Sequence, residues 1–261
     1  MSASTPLLPK EHGAYAQLAF PLLTGMALAF PTLPTLMLGG AAVAFFLANE
    51  SAAVLLGARG MRLKDQEGSR ARVWGSLLLG VGGILGVAGV ATGWPGIWPS
   101  VLLPTVAGLL LVPLAVTGRQ KTLLGEFLVI TAFATLVLPM AAASGVDPTR
   151  AALTAAVWWV SFGLGTLEVH AIKARHKKIE KARWALWASP LASGIVLAGA
   201  LFLALGHGGF PASAGPAAAL GLPSLAIFAL SLLRVHPKHL KRVGWSLVVA
   251  NSLALILLLQ G

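Results

Sequence analysis

The sequence of 261 residues contains no cysteine and only eight acidic residues. Without cysteine the chain has no disulfide, no thiolate metal site and no cysteine nucleophile. Charged residues make up 10% of the chain, whereas an ordinary soluble domain has roughly a quarter. The sequence also has no P-loop, no glycine fingerprint after a strand and no GxSxG motif. These absences exclude thiol enzymes and the commonest nucleotide-binding and hydrolase classes.

Long apolar runs dominate what is present. The chain is 57% hydrophobic, with a mean hydropathy of +0.83. About 20 apolar residues in a helix cross the roughly 30 Å hydrocarbon core of a bilayer, and a lipid-exposed backbone must pair its polar groups internally. The sequence therefore predicts an all-α polytopic membrane protein of about nine transmembrane helices. The predicted spans are 13–30, 36–57, 73–91, 97–117, 123–145, 151–172, 184–206, 217–233 and 243–259.

The basic residues predict the topology. They cluster at Lys10 and in the segments 59–72, 119–121, 173–183 and 234–242, whereas the intervening connectors carry almost none. Lys and Arg are enriched in cytoplasmic loops, and only Arg150 falls on the opposite side. We therefore predict a multi-pass protein of the bacterial cytoplasmic membrane, with its N-terminus inside and its C-terminus outside. The net charge of +11 is then a surface facing anionic lipid rather than a nucleic-acid site.

A faint internal repeat organises the chain. Asn49-Glu50 near the end of the second span corresponds to Glu168 near the end of the sixth, and a basic stretch follows each. The period of about 115 residues predicts a parallel four-helix repeat, with units 10–117 and 123–233 followed by a ninth helix at 243–259. Chance similarity between apolar segments is the alternative. With no linker in evidence, residues 1–261 are predicted to form one integral membrane domain.

Three acids lie within predicted spans, toward the cytoplasmic side: Glu50, Glu126 and Glu168. Ionisable residues inside a membrane are costly and mark functional sites by default. Asn49 precedes Glu50, and these three side chains, Asn49, Glu50 and Glu168, are the candidate catalytic groups. The plain alternative is that each acid pairs with an arginine or a helix terminus and holds the bundle together.

Several polar and basic residues near the cytoplasmic ends of the spans are candidates for binding a substrate. His12 at the entry of the first span is either a helix-capping residue or an anion contact. The candidate substrate-binding residues are His12, Arg59, Arg119, Lys121, Glu126, His170 and Arg175. No pair of histidines has the spacing of a zinc site.

Taken together, these features resemble the UbiA-type membrane prenyltransferases. The resemblance rests on nine spans, on basic loops after the second and sixth spans, and on the segments Lys121–Gly145 and Pro21–Gly25. The opening Pro9-Lys-Glu-His-Gly-Ala-Tyr15 is similar to the start of YwiC-like bacterial membrane proteins, which is the more distinctive match. The implied fold is a UbiA-like helix bundle with a cavity opening to the cytoplasm and to lipid.

The resemblance also implies a chemistry: acid motifs hold Mg²⁺ on a prenyl diphosphate while an aromatic acceptor is alkylated. Here Asn49 and Glu50 match the opening of the first motif, but Ala53 and Gly57 occupy its next two acid positions. Glu168 is followed by Ile172 where the second motif has its paired acid. One Mg²⁺ between Glu50 and Glu168 is consistent with the few carboxylates that this ion needs. A second metal would require Asp65 and Glu67 to fold back from the following loop.

Two functions remain open at this stage. The first is a divergent prenyltransferase that acts on an isoprenoid diphosphate or a lipid-soluble aromatic acceptor at the cytoplasmic face. The second is a non-catalytic protein that binds or moves a lipid or quinone-like molecule, or a small transporter. Membrane lipids and an isoprenoid or quinone-like small molecule are the expected partners in both.

Overall fold

Helices make up the regular structure of the computed structural model, which describes residues 7–9, 12–28, 31–177, 183–205 and 214–260. A 3₁₀ turn, Pro237–His239, precedes the last helix. The helices are α1 (His12–Ala27), α2 (Leu33–Leu55), α3 (Met61–Thr92), α4 (Trp98–Val116), α5 (Leu123–Ala134), α6 (Val137–Ala143), α7 (Pro148–Lys177), α8 (Ala185–Ala204), α9 (Ala214–Leu232) and α10 (Leu240–Gln260).

Eight helical stretches of the described chain are long and apolar enough to cross a membrane. They begin with α2, and α5 and α6 count together as one. The 16 residues of α1 extend about 24 Å. Large apolar side chains are exposed along α3, α4 and α8, where they would contact lipid. An all-helical, multi-pass membrane protein is confirmed, while its orientation stays a prediction.

Two helices extend well into the predicted basic loops. The basic segment 61–72, predicted as a loop, forms the first part of α3, and α7 continues through Lys173 and Arg175 to Lys177. Neither segment contains proline, and Lys and Arg are good helix formers. The positions of the basic residues therefore did not predict where these two helices begin and end.

The chain divides into two compact units, Met1–Ala151 and Ala152–Gly261. The prediction of one domain built on a four-helix repeat stays a prediction. In the first unit α3 packs against α2 through three buried glycines spaced by seven residues. A Cβ at Gly75, Gly82 or Gly89 would approach side chains of α2 to within 3.2 Å or less. Small residues at this spacing let two membrane helices come close together.

The fifth predicted span is broken between α5 and α6. Thr135 ends α5 with its backbone N–H bonded to Thr131 and Phe133. Pro139 has no N–H with which to continue the ladder and its ring crowds the preceding turn.

Aromatic rings pack in the core of the first unit. The Phe46 ring contacts the rings of Tyr15 and Phe133 edge-on, and the centroids of the Phe46 and Tyr15 rings lie 5.0 Å apart.

In the second unit α7 contacts α8 and α10 through buried polar groups. The Ser161 hydroxyl donates to Asn251 Oδ1 of α10 over 2.6 Å, and the Asn251 side-chain amide donates to the Leu247 carbonyl. Beside this pair the Trp158 and Phe162 rings of α7 stack with centroids 5.7 Å apart. Hydrogen bonds of this kind hold membrane helices in register.

Candidate functional site

Glu50 forms a two-pronged ion pair with Arg59. Arg59 Nε donates to Glu50 Oε1 over 3.0 Å, and Arg59 Nη2 donates to Oε2 over 2.6 Å. The Glu50 side chain is only 5% exposed and that of Arg59 27%. Because a bidentate guanidinium satisfies both carboxylate oxygens, the ion pair holds the end of α2 to the turn that follows it.

Local backbone conformation explains how Arg59 reaches Glu50. The helix ends at Leu55, and Gly57 and Gly60 then take φ values of +74° and +99°. Glycine adopts these values without a Cβ penalty. The chain therefore reverses between α2 and α3 and brings Arg59 back beside the last turns of α2.

The first unit, as arranged, is a poor fit for the implied magnesium ion. Arg59 already binds both oxygens of Glu50, so a metal would have to displace the guanidinium group. Asn49 is exposed on α2. Among the residues described, no three His, Asp or Glu side chains come together as a metal-ligand set. A metal shared by Glu50 and Glu168, which belong to different units, stays a prediction.

Glu168 has very different surroundings. Its side chain is fully buried on α7, and the Ser189 hydroxyl of α8 donates to its Oε2 over 2.6 Å. The other oxygen, Oε1, is buried without a hydrogen-bond partner among the described residues. A buried polar atom that lacks a partner is costly. This half-satisfied carboxyl group therefore marks a place where a ligand could bind.

Arg175 lies seven residues beyond Glu168, on the same face of α7. No ion pair joins its guanidinium group to the Glu168 carboxyl group. Arg175 Nη1 is also buried without a partner in the described part of the chain. The second unit therefore presents an unused acceptor and an unused donor on residues that are two helical turns apart along α7.

A separate pocket of about 440 Å³ lies in the first unit. Its lining includes Leu55 at the end of α2 and the Lys64, Gly68 and Arg72 positions of α3, which follow one another at intervals of four residues. Asp65 and Ser69 complete the wall. Asp65 and Glu67 thus lie on a helix rather than in a loop, and Glu67 pairs with Arg70 over 3.1 Å.

The remaining candidate residues lie elsewhere. Glu126 is half-buried in the first turn of α5, where a negative charge favours the helix dipole. Arg119 and Lys121 are exposed just before that helix, and His170 is half-buried on α7. His12 begins α1, and its side chain lies outside the described part of the structure.

The local sequence does not reveal the partner of Glu168 or the cations that line the pocket. Ser189 lies in an ordinary apolar run, and Lys64 and Arg72 were part of an undivided basic segment. Only the helical spacing of Lys64 and Arg72, eight residues apart, could have suggested that they share a face of α3. Nothing in the local sequence around Ser189 indicates that it contacts Glu168.

Comparison with known proteins places the chain in a family. The model of the YwiC-like protein family matches residues 8–142, just over half of the chain, and the protein belongs to that family. The match lies within the unit that contains the Glu50–Arg59 ion pair and the basic pocket. No curated protein and no solved structure matches the chain.

Proposed function

We propose that this YwiC-like membrane protein binds an isoprenoid or quinone-like lipid, with the polar head of the lipid at Glu168 and Arg175. The observation that carries the proposal is the pair of unused polar atoms, Glu168 Oε1 and Arg175 Nη1, buried among the described residues of the second unit. Intramembrane ionisable residues are functional candidates by default.

The polarity of these two atoms supports one kind of ligand chemistry. A carboxylate oxygen accepts a hydrogen bond and a guanidinium nitrogen donates one. A quinol has two hydroxyl groups at opposite ends of its ring, so one can donate its proton to Glu168 while the oxygen of the other accepts from Arg175. A quinone carbonyl only accepts and would use Arg175 alone. We therefore expect the reduced, hydroxyl-bearing form of a quinone-like ring to bind more tightly.

Prenyl transfer, with Mg²⁺ assisting the departure of diphosphate, is the second candidate. It is supported by the acids Glu50 and Glu168 and by the cations that follow each of them along the chain. The Glu50–Arg59 ion pair counts against it, because both oxygens of that carboxylate are already bound. Lipid binding without catalysis is therefore the better supported function, and magnesium dependence separates the two.

The first experiment identifies the ligand directly. Protein purified in mild detergent is extracted and analysed by mass spectrometry for isoprenoid and quinone lipids. Binding of a short-chain quinol and of the corresponding quinone is then measured by tryptophan fluorescence, since Trp158 lies buried on α7. A prenyl diphosphate analogue is tested with and without Mg²⁺.

The Glu168→Gln variant tests the assigned roles. If the oxygen of the substituted side chain keeps the Ser189 bond, the new amide nitrogen replaces the unused oxygen and cannot accept from a hydroxyl. We expect quinol binding to weaken about tenfold or more, with quinone binding retained. Ser224→Ala is the matched control, because Ser224 is a buried serine of α9 that bonds within its own helix. Equal loss in both variants, or Mg²⁺-dependent binding of the diphosphate analogue alone, would overturn the proposal.

A further inference from the structure

The basic segment between α2 and α3 divides into paired and unpaired cations. Arg59 is held by Glu50 and Arg70 by Glu67. Lys64 and Arg72, in contrast, form no ion pair with any described residue, and both line the 440 Å³ pocket. Asp65 shares the pocket without pairing with either cation. The two arginines thus neutralise neighbouring carboxylates, whereas Lys64 and Arg72 are available to bind a ligand.

We propose that this pocket binds the phosphate head group of a membrane lipid. Lys64 and Arg72 lie eight residues apart, which places them on one face of α3 about 12 Å apart along its axis. A phosphate group accepts several charge-assisted hydrogen bonds and is bound well by Lys and Arg together. The volume lies within the usual range for small-molecule sites.

Neighbouring apolar residues favour a lipid over a soluble phosphate compound. Leu55 forms part of the pocket wall, and the exposed side chains of Val73 and Leu77 follow Arg72 along α3. A head group held between Lys64 and Arg72 would thus have an apolar helix surface beside it for its acyl chains. Basic pockets next to membrane helices are recurrent sites for anionic lipid heads. This site is independent of Glu168.

The test uses the full chain in nanodiscs of phosphatidylcholine that contain a minor fraction of phosphatidic acid. Native mass spectrometry measures how much phosphatidic acid stays bound to the released protein. We expect the double variant Lys64→Gln, Arg72→Gln to retain about tenfold less. Gly68→Leu should give a similar loss by filling the pocket with no change of charge, since a Cβ at Gly68 meets nothing within 4 Å.

Arg62→Gln is the matched control. Arg62 is an exposed cation of the same helix that does not line the pocket, so this variant should retain wild-type levels of phosphatidic acid. A loss as large in Arg62→Gln as in the double variant Lys64→Gln, Arg72→Gln would show diffuse surface attraction and overturn the proposal. Inorganic phosphate in detergent should bind far more weakly than the lipid, and equal binding would exclude the lipid as the ligand.

Discussion

Glu50 and Glu168 occupy matching places in the sequence and opposite situations in the structure. Each is a buried acid near the end of a membrane helix, followed within ten residues by an arginine. Glu50 has both oxygens bound by Arg59. Glu168 has one oxygen bound by Ser189 and the other without a partner among described residues. The same pair of residue types thus produces a closed ion pair in one unit and an open site in the other.

The difference arises from where the two helices end. α2 stops at Leu55, and the glycine turn that follows brings Arg59 back to Glu50. α7 continues past Glu168 to Lys177, so Arg175 remains two turns away along the same helix. Arg175 forms no ion pair with Glu168, whereas Arg59 pairs with Glu50. Glu50 is therefore held in a closed ion pair, whereas Glu168 keeps the unpartnered oxygen on which the proposed ligand binding depends.

Topology gives the largest, all-or-none test of the comparison, because both acids should lie toward the same side of the membrane. Gln66→Cys and Thr149→Cys place single thiols at exposed positions of a cysteine-free chain. Positive-inside loops predict that the thiol at position 66 is cytoplasmic and the thiol at position 149 external. A membrane-impermeant maleimide applied to intact cells should label only the Thr149→Cys variant. Labelling of both variants from one side would refute the predicted orientation.

Removing the charge of each acid in turn should show that Glu50 contributes more to stability than Glu168 does. Glu50→Gln leaves a guanidinium group without its counter-charge. Because Arg59 is partly exposed, we expect the low end of the usual cost for a buried pair, about 3 kcal/mol. Glu168→Gln removes a charge that no ion pair holds, so its effect should stay within about 1 kcal/mol. Unfolding followed by circular dichroism measures both, and equal losses would mean that Glu168 also has a structural role.

The turn that closes the Glu50–Arg59 pair should be sensitive to a single methyl group. At Gly60 φ is +99° and a Cβ would meet no neighbouring atom within 4 Å, so Gly60→Ala acts through the backbone alone. We expect a destabilisation of about 1 to 2 kcal/mol. Gly68→Ala, in the interior of α3, should instead stabilise by up to about 1 kcal/mol. If both variants behaved alike, the conformation of the turn would not be what positions Arg59.

Much of the fold could be predicted because its causes are local. Apolar runs of sufficient length predicted the spans, and the opening around Pro9–Tyr15 predicted the YwiC-like family. Helix ends were less predictable, since the basic residues at 61–72 and 173–177 continue helices rather than end them. The break in the fifth span depends on Pro139. The sequence shows that this proline interrupts a helix, but it does not show at which residue the helix ends.

The candidate site could be predicted only in part because its partners are distant in sequence. Glu50, Arg59, Glu168 and Arg175 stand out as charges among apolar residues. The bond from Ser189 to Glu168 depends instead on which faces of α7 and α8 meet. The sequence therefore identified which groups are costly in a membrane, and the structure identified which of them are satisfied.

The smallest expected effect concerns the end of α7, where the rings of two histidines contact each other. The rings of His176 and His236 lie 4.3 Å apart, and His236 Nδ1 accepts from the Lys238 backbone N–H over 3.2 Å. Local desolvation, and then the positive charges of His176, Lys238 and His239, lower the pKa of His236 from its usual 6.5. As the pH falls below 6.5, the unfolded chain takes up this proton first, so stability should decrease with acidification.

Hydrogen exchange at the start of α10 should therefore be slightly faster at pH 5.5 than at pH 7.5, after correction for intrinsic rates. His236→Asn keeps a side-chain acceptor for Lys238 without a titrating group, and it should abolish the difference. A pH effect that persists unchanged in His236→Asn would assign the titration to another group.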